Sequence, residues 1–320
     1  MVSNRREFKA EAKKWLKGAL ASFDRGLSNS LRREVEGDTT PASLFIVGGP
    51  RSGSTLLYQA LVATRKFAFA NNFVARLPMS GPYLGRALRM GAWPVHRRFS
   101  SRYGDTTGLA SPSEAGDLWD LVFPWDRHHS VEPEQFLPEN RAHLHAAISQ
   151  LCLTYDGPFL AKNLWNSVRI EALSAALPQS LFIVIHRDPM LMAQSLLKSR
   201  RRGLGDEKGF WSIRPRELLP YKDADPASHT AIQLCMTYEA IERARRALGE
   251  RRFLDIHYEE FCMDPANVIC SVDRFLERHG ISIKKKADIE TSFRNESSLH
   301  LDRQDAEKLQ SVFDQRWPYR

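Results

Sequence analysis

The stretch LFIVGGPRSGSTLL at residues 44–57 decides the fold. Its apolar start predicts a buried strand over 44–47, and its end has the pattern of a helix over 53–64. A glycine-rich turn between a strand and a helix directs backbone N–H groups and the positive end of the helix toward an anion. The stretch therefore predicts a phosphate-type site, although a tight connection without a ligand has the same local pattern.

The turn can be compared with the nucleotide-triphosphate motif G-x-x-x-x-G-K-[ST]. It runs from Gly48 to Gly53 and continues with Ser54 and Thr55, so the lysine of that motif is missing. Arg51 supplies the only charge inside the turn. Glycines let the backbone approach an anion closely, and amides and hydroxyls can donate to it. The candidate anion ligands are Gly49, Arg51, Ser52, Gly53, Ser54 and Thr55.

Three further apolar runs, each followed by a helical pattern, predict strands over 159–161, 181–185 and 253–256. Strands that alternate with helices form a buried parallel sheet, so the expected class is three-layer α/β with a central parallel sheet flanked by helices. The other helical patterns cover 113–123, 140–154, 167–177, 189–201, 228–248 and 265–279. A Gly- and Pro-rich stretch over 203–227 predicts a long loop.

Composition places the chain among globular proteins. Of its 320 residues, 42% are apolar and 26% are charged, which is enough to bury a core. No apolar run reaches the roughly 20 residues that cross a bilayer, and the N-terminus lacks the pattern of a signal peptide, so a cytoplasmic protein is expected. The cysteines have no metal-site spacing and are expected to be reduced core thiols: Cys152, Cys235, Cys262 and Cys270.

Positive charge is concentrated in one segment. The chain has 46 Lys and Arg against 38 Asp and Glu, but residues 41–110 hold nine cations against one acid, Asp105. Such a segment suggests an anionic ligand or surface, or else a solvated basic face. It also supports a basic nucleic-acid-binding module as an alternative function. No DNA- or RNA-binding motif accompanies it, so nucleic acid is not the expected partner.

A second candidate anion site follows the strand predicted over 181–185. Arg187 stands at the carboxyl end of this strand, where open α/β sheets bind ligands, and Ser195 lies eight residues later on the next predicted helix. An arginine and a hydroxyl in these places can hold one phosphate between them. The His-Arg-Asp triplet also matches the start of a kinase catalytic loop, but residue 193 is Ala where that loop needs Asn. An ordinary ion pair between Arg187 and Asp188 is the other alternative.

Together, GGPRSGSTLL at 48–57 and VIHRDPMLMAQSLL at 184–197 resemble the two nucleotide-binding motifs of bacterial-type sulfotransferases that use 3′-phosphoadenosine 5′-phosphosulfate (PAPS). The resemblance implies the P-loop-NTPase-like sulfotransferase fold. It also implies that the first turn holds the 5′-phosphosulfate, and that Arg187 and Ser195 hold the 3′-phosphate. It continues in the segment YEEF, which implies a place for Tyr258 at the nucleotide. We therefore expect an N-terminal amphipathic helix within 1–40 and a single sulfotransferase domain over 41–320.

The same resemblance implies two catalytic cations and no metal. Arg51 matches the family's loop arginine, which stabilises charge on the bridging oxygen, and Lys162 matches a lysine in a Lys-x-Pro-x-His segment. A sulfuryl group carries less charge than a γ-phosphoryl group, so arginine and lysine can neutralise the leaving phosphate without magnesium. Here the segment reads KNLWN, so Asn166 replaces the histidine and cannot act as a general base. For Lys162, an exposed lysine at a strand end is the alternative.

Glu114 is the expected general base, because its segment is similar to an acidic segment of bacterial relatives. Its carboxylate can take the proton of an acceptor hydroxyl that attacks sulfur. The sequence SPSE at 111–114 is also a capping box with Pro at the first helical position, in which Glu114 only satisfies a backbone N–H. The reserve candidates for the base are His96, His128 and His129.

Residues 6–33 have the apolar spacing of an amphipathic helix, with Phe8, Trp15 and Phe23 in its stripe. Docking of this stripe on the catalytic domain is expected, and contact with an anionic membrane or a lipid-linked acceptor is the alternative. The expected reaction is sulfuryl transfer to a hydroxyl or amine, with a carbohydrate or glycolipid preferred over other small molecules as the acceptor. The alternatives are a P-loop kinase or NTPase, and a relative that binds nucleotide without turnover.

Overall fold

The computed structural model describes residues 22–28, 41–95, 99, 106–123, 127–203, 211–295 and 297–319. Within these residues, four strands form one parallel sheet in the order β2-β1-β3-β4. The strands are β1 (Ser43–Gly48), β2 (Phe159–Lys162), β3 (Ser180–His186) and β4 (Phe253–His257). This sheet confirms the expected α/β class with a central parallel sheet.

Three of the predicted strands have apolar runs that are buried on both faces of the sheet, whereas β4 at the edge is only partly buried. β1, β2 and β3 are buried along their whole length, as is typical of the interior of a parallel sheet. β1 pairs with β2 through Ile46 and Lys162, and with β3 through Gly48 and Ile185. The parallel pairing brings the carboxyl ends of the strands to one edge. The turn after β1, Lys162 and Arg187 therefore meet at that edge.

Helices flank the sheet. The first, α1, is helical over the described residues 22–28. The others are α2 (Ser54–Thr64), α3 (Asn72–Arg76), α4 (Gly81–Leu84), α5 (Gly116–Val122), α6 (Pro138–Tyr155), α7 (Ile170–Ala176), α8 (Pro189–Gly203), α9 (Pro226–Leu248), α10 (Tyr258–Met263), α11 (Pro265–Glu277) and α12 (Arg303–Arg316). In the part of the chain that the structure describes, none of them combines the length and the apolar character that crossing a bilayer requires.

Some elements differ from the sequence-based predictions. The helix predicted over 113–123 begins only at Gly116. The helix predicted over 167–177 is divided into the 3₁₀ helix Leu164–Val168 and α7, because Arg169 between them has a non-helical φ of −132°. The loop predicted over 203–227 contains the 3₁₀ helix Arg216–Tyr221, and its residues 204–210 lie outside the described ones. The helices α3, α4 and α10 are too short for periodicity to show, and α12 was also missed.

One hydrophobic core joins the sheet to the helices. Its buried members extend from Leu44 in β1 to Phe313 in α12. Phe45 of β1 stacks on Phe182 of β3, with 5.8 Å between the ring centroids. Because α12 also buries Leu309 in this core, the segment after residue 300 packs on the same structural unit as the sheet.

The cysteines are free thiols, but they are not all in the core. Cys235 and Cys262 are buried and Cys152 is half-buried. Burial raises the pKa of the thiols of Cys152 and Cys235 to about 12, so both stay protonated and unreactive at neutral pH. The expectation of core thiols is wrong for Cys270, which is exposed on α11.

Helix α1 contacts the rest of the chain through a buried carboxylate. Asp24 is 2% exposed and accepts hydrogen bonds from the backbone N–H groups of Met79 (2.9 Å) and Ser80 (2.7 Å), and from the hydroxyl of Ser80. Phe23 belongs to the stripe that was expected to dock, yet it is 61% exposed. The expected docking is therefore wrong at Phe23, because this turn of helix presents its polar side inward. The stripe residues before 22 lie outside the described residues.

The positive charge of residues 41–110 is partly compensated by acids from other segments. The guanidinium of Arg65 donates to both carboxylate oxygens of Asp273, at 2.8 Å from Nε and 2.5 Å from Nη2. The hydrogen bond to Asp273 raises the pKa of Arg65. Lys66 pairs with Asp156 at 2.6 Å. The segment is therefore less of a continuous basic face than its sequence suggests.

Candidate active site

The turn after β1 has the backbone geometry that its glycines require. Gly53 precedes the first residue of α2 and has a φ of +86°, a conformation that favours glycine. A Cβ on Gly53 would lie 2.1 Å from Cδ2 of Tyr258, so the tyrosine ring packs directly on the turn. Arg51 also has a positive φ, of 69°. Such strain in a residue with a side chain is concentrated at functional sites.

Two residues outside the turn fix its position. The hydroxyl of Ser167 accepts from the N–H of Gly48 and donates to the carbonyl of Gly48, both at 3.0 Å. Tyr238 lies against Gly49, where a Cβ would come within 2.9 Å of its ring, and its hydroxyl donates to the carbonyl of Ile185 at 2.7 Å. The turn is thus tied both to the chain after β2 and to β3. No pattern in the sequence marked either residue.

Arg51, Arg187 and Ser195 lie together at the carboxyl edge of the sheet. The Nε of Arg51 donates to the hydroxyl oxygen of Ser195 at 2.8 Å, and Nη1 of Arg187 donates to the backbone carbonyl of Arg51 at 3.1 Å. The guanidinium of Arg187 also lies 4.5 Å from the ring centroid of Tyr258, a cation–π distance. The structure therefore brings together four residues that the sequence motifs singled out.

The neighbouring Asp188 has a structural role at the start of α8. Its Oδ1 accepts from the backbone N–H of Leu191 at 2.9 Å, three residues later, as an N-cap residue does. Its own N–H donates to Oε1 of Glu259 at 3.3 Å. Asp188 thus serves the helix, whereas Arg187 extends to Arg51 and Tyr258.

A cavity of about 230 Å³ lies at this edge of the sheet. Its lining includes Pro50, Arg51, Gly53, Ser54, Thr55, Leu56, Glu114, Lys162, Leu164, Arg187, Trp211, Ser212 and Tyr258. Among these residues, three cations stand against one carboxylate. Ser54 and Thr55 belong to the first turn of α2, whose N–H groups have no intrahelical carbonyl to bind. The cavity is therefore suited to an anion.

Lys162 forms an ion pair with Glu114 in this cavity. Lys162 is the last residue of β2, and 3% of its side chain is exposed, whereas the side chain of Glu114 is 35% exposed. Asn163 holds the segment of Glu114 in place by donating to the backbone carbonyl of Glu114 at 3.1 Å. The alternative of an exposed lysine at a strand end is therefore wrong for Lys162.

The capping box suggested for residues 111–114 is absent. Helix α5 begins at Gly116, its N-cap is Ala115 with a φ of +48°, and no side chain caps it. The hydroxyl of Ser113 accepts from the N–H of Ala115 at 3.2 Å, and the N–H of Ser113 donates to the carbonyl of Ala70 at 2.9 Å. These contacts hold the segment as a turn before the helix. The carboxylate of Glu114 consequently faces Lys162 and the cavity.

His128 and His129, two of the histidines considered for the base, are not among the residues that line this cavity. His129 is buried, stacks on Trp165 at 4.6 Å, and accepts the backbone N–H of Arg214 at Nδ1. Burial and the nearby Arg169 lower the pKa of His129 to about 3, so its ring is neutral at physiological pH. His128 lines a different cavity, and His96 lies outside the described residues.

Not every residue of the two motifs lines the cavity, since Ser195 is not among its lining residues. Gly49 and Ser52 are not among the lining residues, and the hydroxyl of Ser52 is buried with no hydrogen-bond partner in the described part of the chain. Asn166, at the position of the family's histidine, is also buried, and neither atom of its side-chain amide has a partner among the described residues. The backbone N–H of Ser52 donates to the carbonyl of Gly49 at 3.4 Å, so Ser52 closes the turn.

A polar network centred on the partly exposed Asp255 supports the strand end that carries Arg187. Asp255 of β4 accepts from Nε2 of His186 at 2.6 Å and from both terminal nitrogens of Arg245, at 2.8 and 2.6 Å. Burial alone would raise the pKa of Asp255, but these donors hold it well below its usual range. The ring of His186 stacks on Tyr238 at 5.7 Å. The network therefore connects β3, β4 and the tyrosine beneath the turn.

The sequence matches the Sulfotransferase family over residues 41–279, most of the chain. The protein therefore belongs to the sulfotransferase family, a class of transferases. Among curated proteins, none is similar enough to count as a match.

Solved structures of bacterial sulfotransferases are similar to this chain. Sulfotransferase STF9 from Mycobacterium avium has a TM-score of 0.53 and 17% identity, over 86% of this chain and 76% of that protein. STF1 from Mycobacterium tuberculosis H37Rv has a TM-score of 0.49 and 14% identity, over 89% and 76%. A sulfotransferase from Alicyclobacillus acidocaldarius has a TM-score of 0.44 and 17% identity, over 86% and 92%. At this identity, the likeness to STF9 concerns the fold alone.

Proposed function

We propose that this protein transfers the sulfuryl group of PAPS to a hydroxyl or amine of an acceptor. The observation that carries the proposal is the direct contact between two anion sites that lie far apart in the sequence. Arg51 of the turn binds Ser195, 144 residues later, and Arg187 binds the backbone of Arg51. A nucleotide with anionic groups on both the 3′ and the 5′ positions of its ribose needs two such sites side by side.

The residues of the cavity fit PAPS in charge and in hydrogen-bond donors. Among the described lining residues, Arg51, Lys162 and Arg187 outnumber the single carboxylate, Glu114, which favours a ligand with several negative charges. The N–H groups of the first turn of α2 add uncharged donors for an oxyanion. Bound here, PAPS would supply a sulfuryl group activated by its link to the 5′-phosphate.

Arg51 and Lys162 are proposed as the catalytic cations. Both line the cavity, and neither depends on a flexible loop, because Arg51 lies in the turn that Ser167 fixes through Gly48 and Lys162 ends a buried strand. Preorganised cations are most effective where negative charge grows in the transition state. We propose that they neutralise the leaving phosphate in the place of a divalent metal.

Glu114 is proposed as the general base. Its carboxylate lines the cavity beside Lys162 and remains partly open to solvent, so an acceptor hydroxyl can approach it. It would accept the proton of that hydroxyl as the oxygen attacks sulfur. The absence of a capping role at the start of α5 supports this proposal.

For the acceptor we propose a carbohydrate or glycolipid in the cytoplasm. Trp211 and Ser212 are adjacent residues of the cavity lining, and an aromatic residue beside a hydroxyl residue suits a polyhydroxylated molecule.

We also propose the division of the chain into an N-terminal segment over 1–40 and one catalytic domain over 41–320. The continuous core from Leu44 to Phe313 supports this division.

The test is transfer of label from PAPS to a panel of sugars, glycolipids, alcohols and amines in excess chelator. A parallel reaction uses ATP labelled on its γ-phosphate with magnesium. We expect label to move from PAPS without metal, and Lys162→Ala to abolish most of that transfer. Transfer from ATP with none from PAPS would contradict the proposal and favour a kinase.

A further inference from the structure

A second cavity, of about 300 Å³, lies at the far end of α5 from Glu114. Its lining is mainly apolar and includes Val122, Phe123, Phe136, Leu137, Leu219 and His128. Phe123 and Phe136 stack on each other at 4.5 Å. This volume is in the range of small-ligand sites, and none of the residues proposed for donor binding lines it.

The segment over 211–219 borders both cavities, and helix α5 lies between Glu114 and the apolar cavity. Helix α5 starts two residues after Glu114 and ends at Val122, which is about 9 Å of helix. The segment over 211–219 contributes Trp211 and Ser212 to the active-site cavity and Leu219 to the apolar cavity. An elongated molecule only slightly longer than α5 would therefore span the distance from Glu114 to Val122.

The segment over 211–219 is held in a fixed position by residues 129 and 130. The N–H of His129 donates to the carbonyl of Arg214, and the N–H of Arg214 donates to Nδ1 of His129, both at 2.8 Å. The N–H of Arg216 donates to the hydroxyl of Ser130 at 3.0 Å. Because burial keeps the pKa of His129 at about 3, its ring remains an acceptor at neutral pH. The wall shared by the cavities is therefore preformed.

Trp165 provides apolar surface in the region between the two cavities. It follows Leu164, which lines the active-site cavity, and it is half-buried. Its ring would lie 3.6 Å from a Cβ on Gly116, the first residue of α5, and it stacks on His129. Trp165 thus lies between Leu164 of the active-site cavity and His129, whose chain neighbours line the apolar cavity.

We infer that the apolar cavity holds the alkyl or aryl part of an amphipathic acceptor whose hydroxyl or amine reaches Glu114 and Lys162. This inference rests on the proposed sulfuryl transfer and narrows its acceptor to a molecule with an apolar tail, such as an alkyl glycoside. The hydroxyl oxygen forms a new bond to sulfur, the bond between sulfur and the bridging oxygen breaks, 3′,5′-ADP leaves, and Glu114 takes the proton. A free sugar would use the active-site cavity alone.

The test measures binding of octyl β-glucoside and methyl β-glucoside by calorimetry, below the concentration at which the former makes micelles. Because each buried methylene strengthens binding several-fold, the octyl compound should bind on the order of a hundredfold more tightly. Leu137→Asp and Leu219→Asp place a charge at exposed lining positions, 50% and 37% exposed. Each should weaken octyl binding at least about tenfold. Leu153→Asp is the matched control, since Leu153 is 57% exposed on α6 and is not a lining residue.

Equal affinity for the two glucosides would overturn the inference. Octyl binding that is unchanged in both Leu137→Asp and Leu219→Asp would also overturn it. Two lining variants are used because a folding defect in one of them would still leave the other to test the inference. Binding of 3′,5′-ADP to the same variants separates the two proposals. Nucleotide binding without an octyl preference defeats only the inference, whereas an octyl preference without nucleotide binding defeats the proposed function and leaves an apolar binding site without its role in the transfer.

Discussion

The active-site cavity has two sides that are built in different ways. On the donor side, the turn over residues 48–55 is held through its backbone, because Ser167 binds both polar groups of Gly48 and Arg187 binds the carbonyl of Arg51. On the acceptor side, one ion pair between side chains, Lys162 with Glu114, joins β2 to the segment before α5. Both sides thus join distant segments, but the donor side is held through backbone groups whose turn shape comes from its own glycines, whereas the acceptor side depends on a contact between two side chains.

The largest expected effect is a loss of kcat in one variant on each side of the cavity. Arg51→Ala and Lys162→Ala should lower kcat on the order of a hundredfold to a thousandfold, because each removes a cation from the place where charge grows. Binding of 3′,5′-ADP should weaken far less in Lys162→Ala. Steady-state kinetics with labelled PAPS and calorimetry with 3′,5′-ADP measure the two quantities. An unchanged kcat in Lys162→Ala would return this residue to a purely structural role.

The next effect concerns the acceptor side alone. Glu114→Gln keeps an oxygen that can accept from Lys162, but the amide cannot take a proton at neutral pH, so the rate should fall about 100-fold. The affinity for 3′,5′-ADP should remain that of the unchanged protein. Asp117→Asn, an exposed carboxylate on α5, is the matched control and should keep its rate. A fully active Glu114→Gln variant would show that Glu114 only positions Lys162.

A smaller effect is expected from the backbone of the donor side. Gly53→Ala would place a Cβ 2.1 Å from the ring of Tyr258, so 3′,5′-ADP should bind about tenfold more weakly as the ring is displaced from Arg187. Gly249→Ala is the matched control, because Gly249 has a similar φ of +91° and open space around it. Calorimetry and thermal melting compare the two. Identical nucleotide affinity in both variants would show that the contact with Tyr258 is unimportant.

The smallest effect is a change in stability at α1, which belongs to neither side of the active-site cavity. Asp24→Ala leaves the N–H groups of Met79 and Ser80 without their acceptor, which costs about 1–3 kcal/mol and should lower the Tm by a few degrees with kcat unchanged. Removal of residues 1–40 should lower the Tm at least as much. Phe23→Ser is the control, because Phe23 is exposed.

If removal of residues 1–40 instead leaves the Tm unchanged but abolishes binding to anionic vesicles, docking of α1 through Asp24 is contradicted. A membrane role for the N-terminal segment then becomes the better account. Loss of vesicle binding in Phe23→Ser at an unchanged Tm would assign that role to the exposed side of α1.

Local backbone geometry explains which elements the sequence could predict. The strands, the helices α2, α8, α9 and α11, and the turn follow from short stretches in which composition and spacing dictate local geometry, as at Gly53. The pairing of Arg187 with the turn followed from the rule that the ends of parallel strands share an edge, together with the family resemblance.

The sequence could not predict contacts made by residues without a local pattern. Ser167 and Tyr238 fix the turn from positions that no motif marks, and the capping box before α5 was misread because its residues are occupied by Ala70 and Lys162. Phe23 was placed in the stripe expected to dock, but it is exposed, and Asp24 beside it is buried against Met79 and Ser80. In each case a contact between distant segments overrode the local preference.

The most direct test of the account is calorimetric binding of 3′,5′-ADP and of ADP, which lacks the 3′-phosphate, both in excess chelator. The two adjoining anion sites predict that the 3′-phosphate tightens binding about 10- to 100-fold, since hydrogen bonds to charged groups contribute about 1.5–3 kcal/mol. Arg187→Ala should remove most of this difference, while Arg76→Ala, an exposed arginine of α3, should keep it. Equal binding of the two nucleotides, or a requirement for magnesium, would contradict the account.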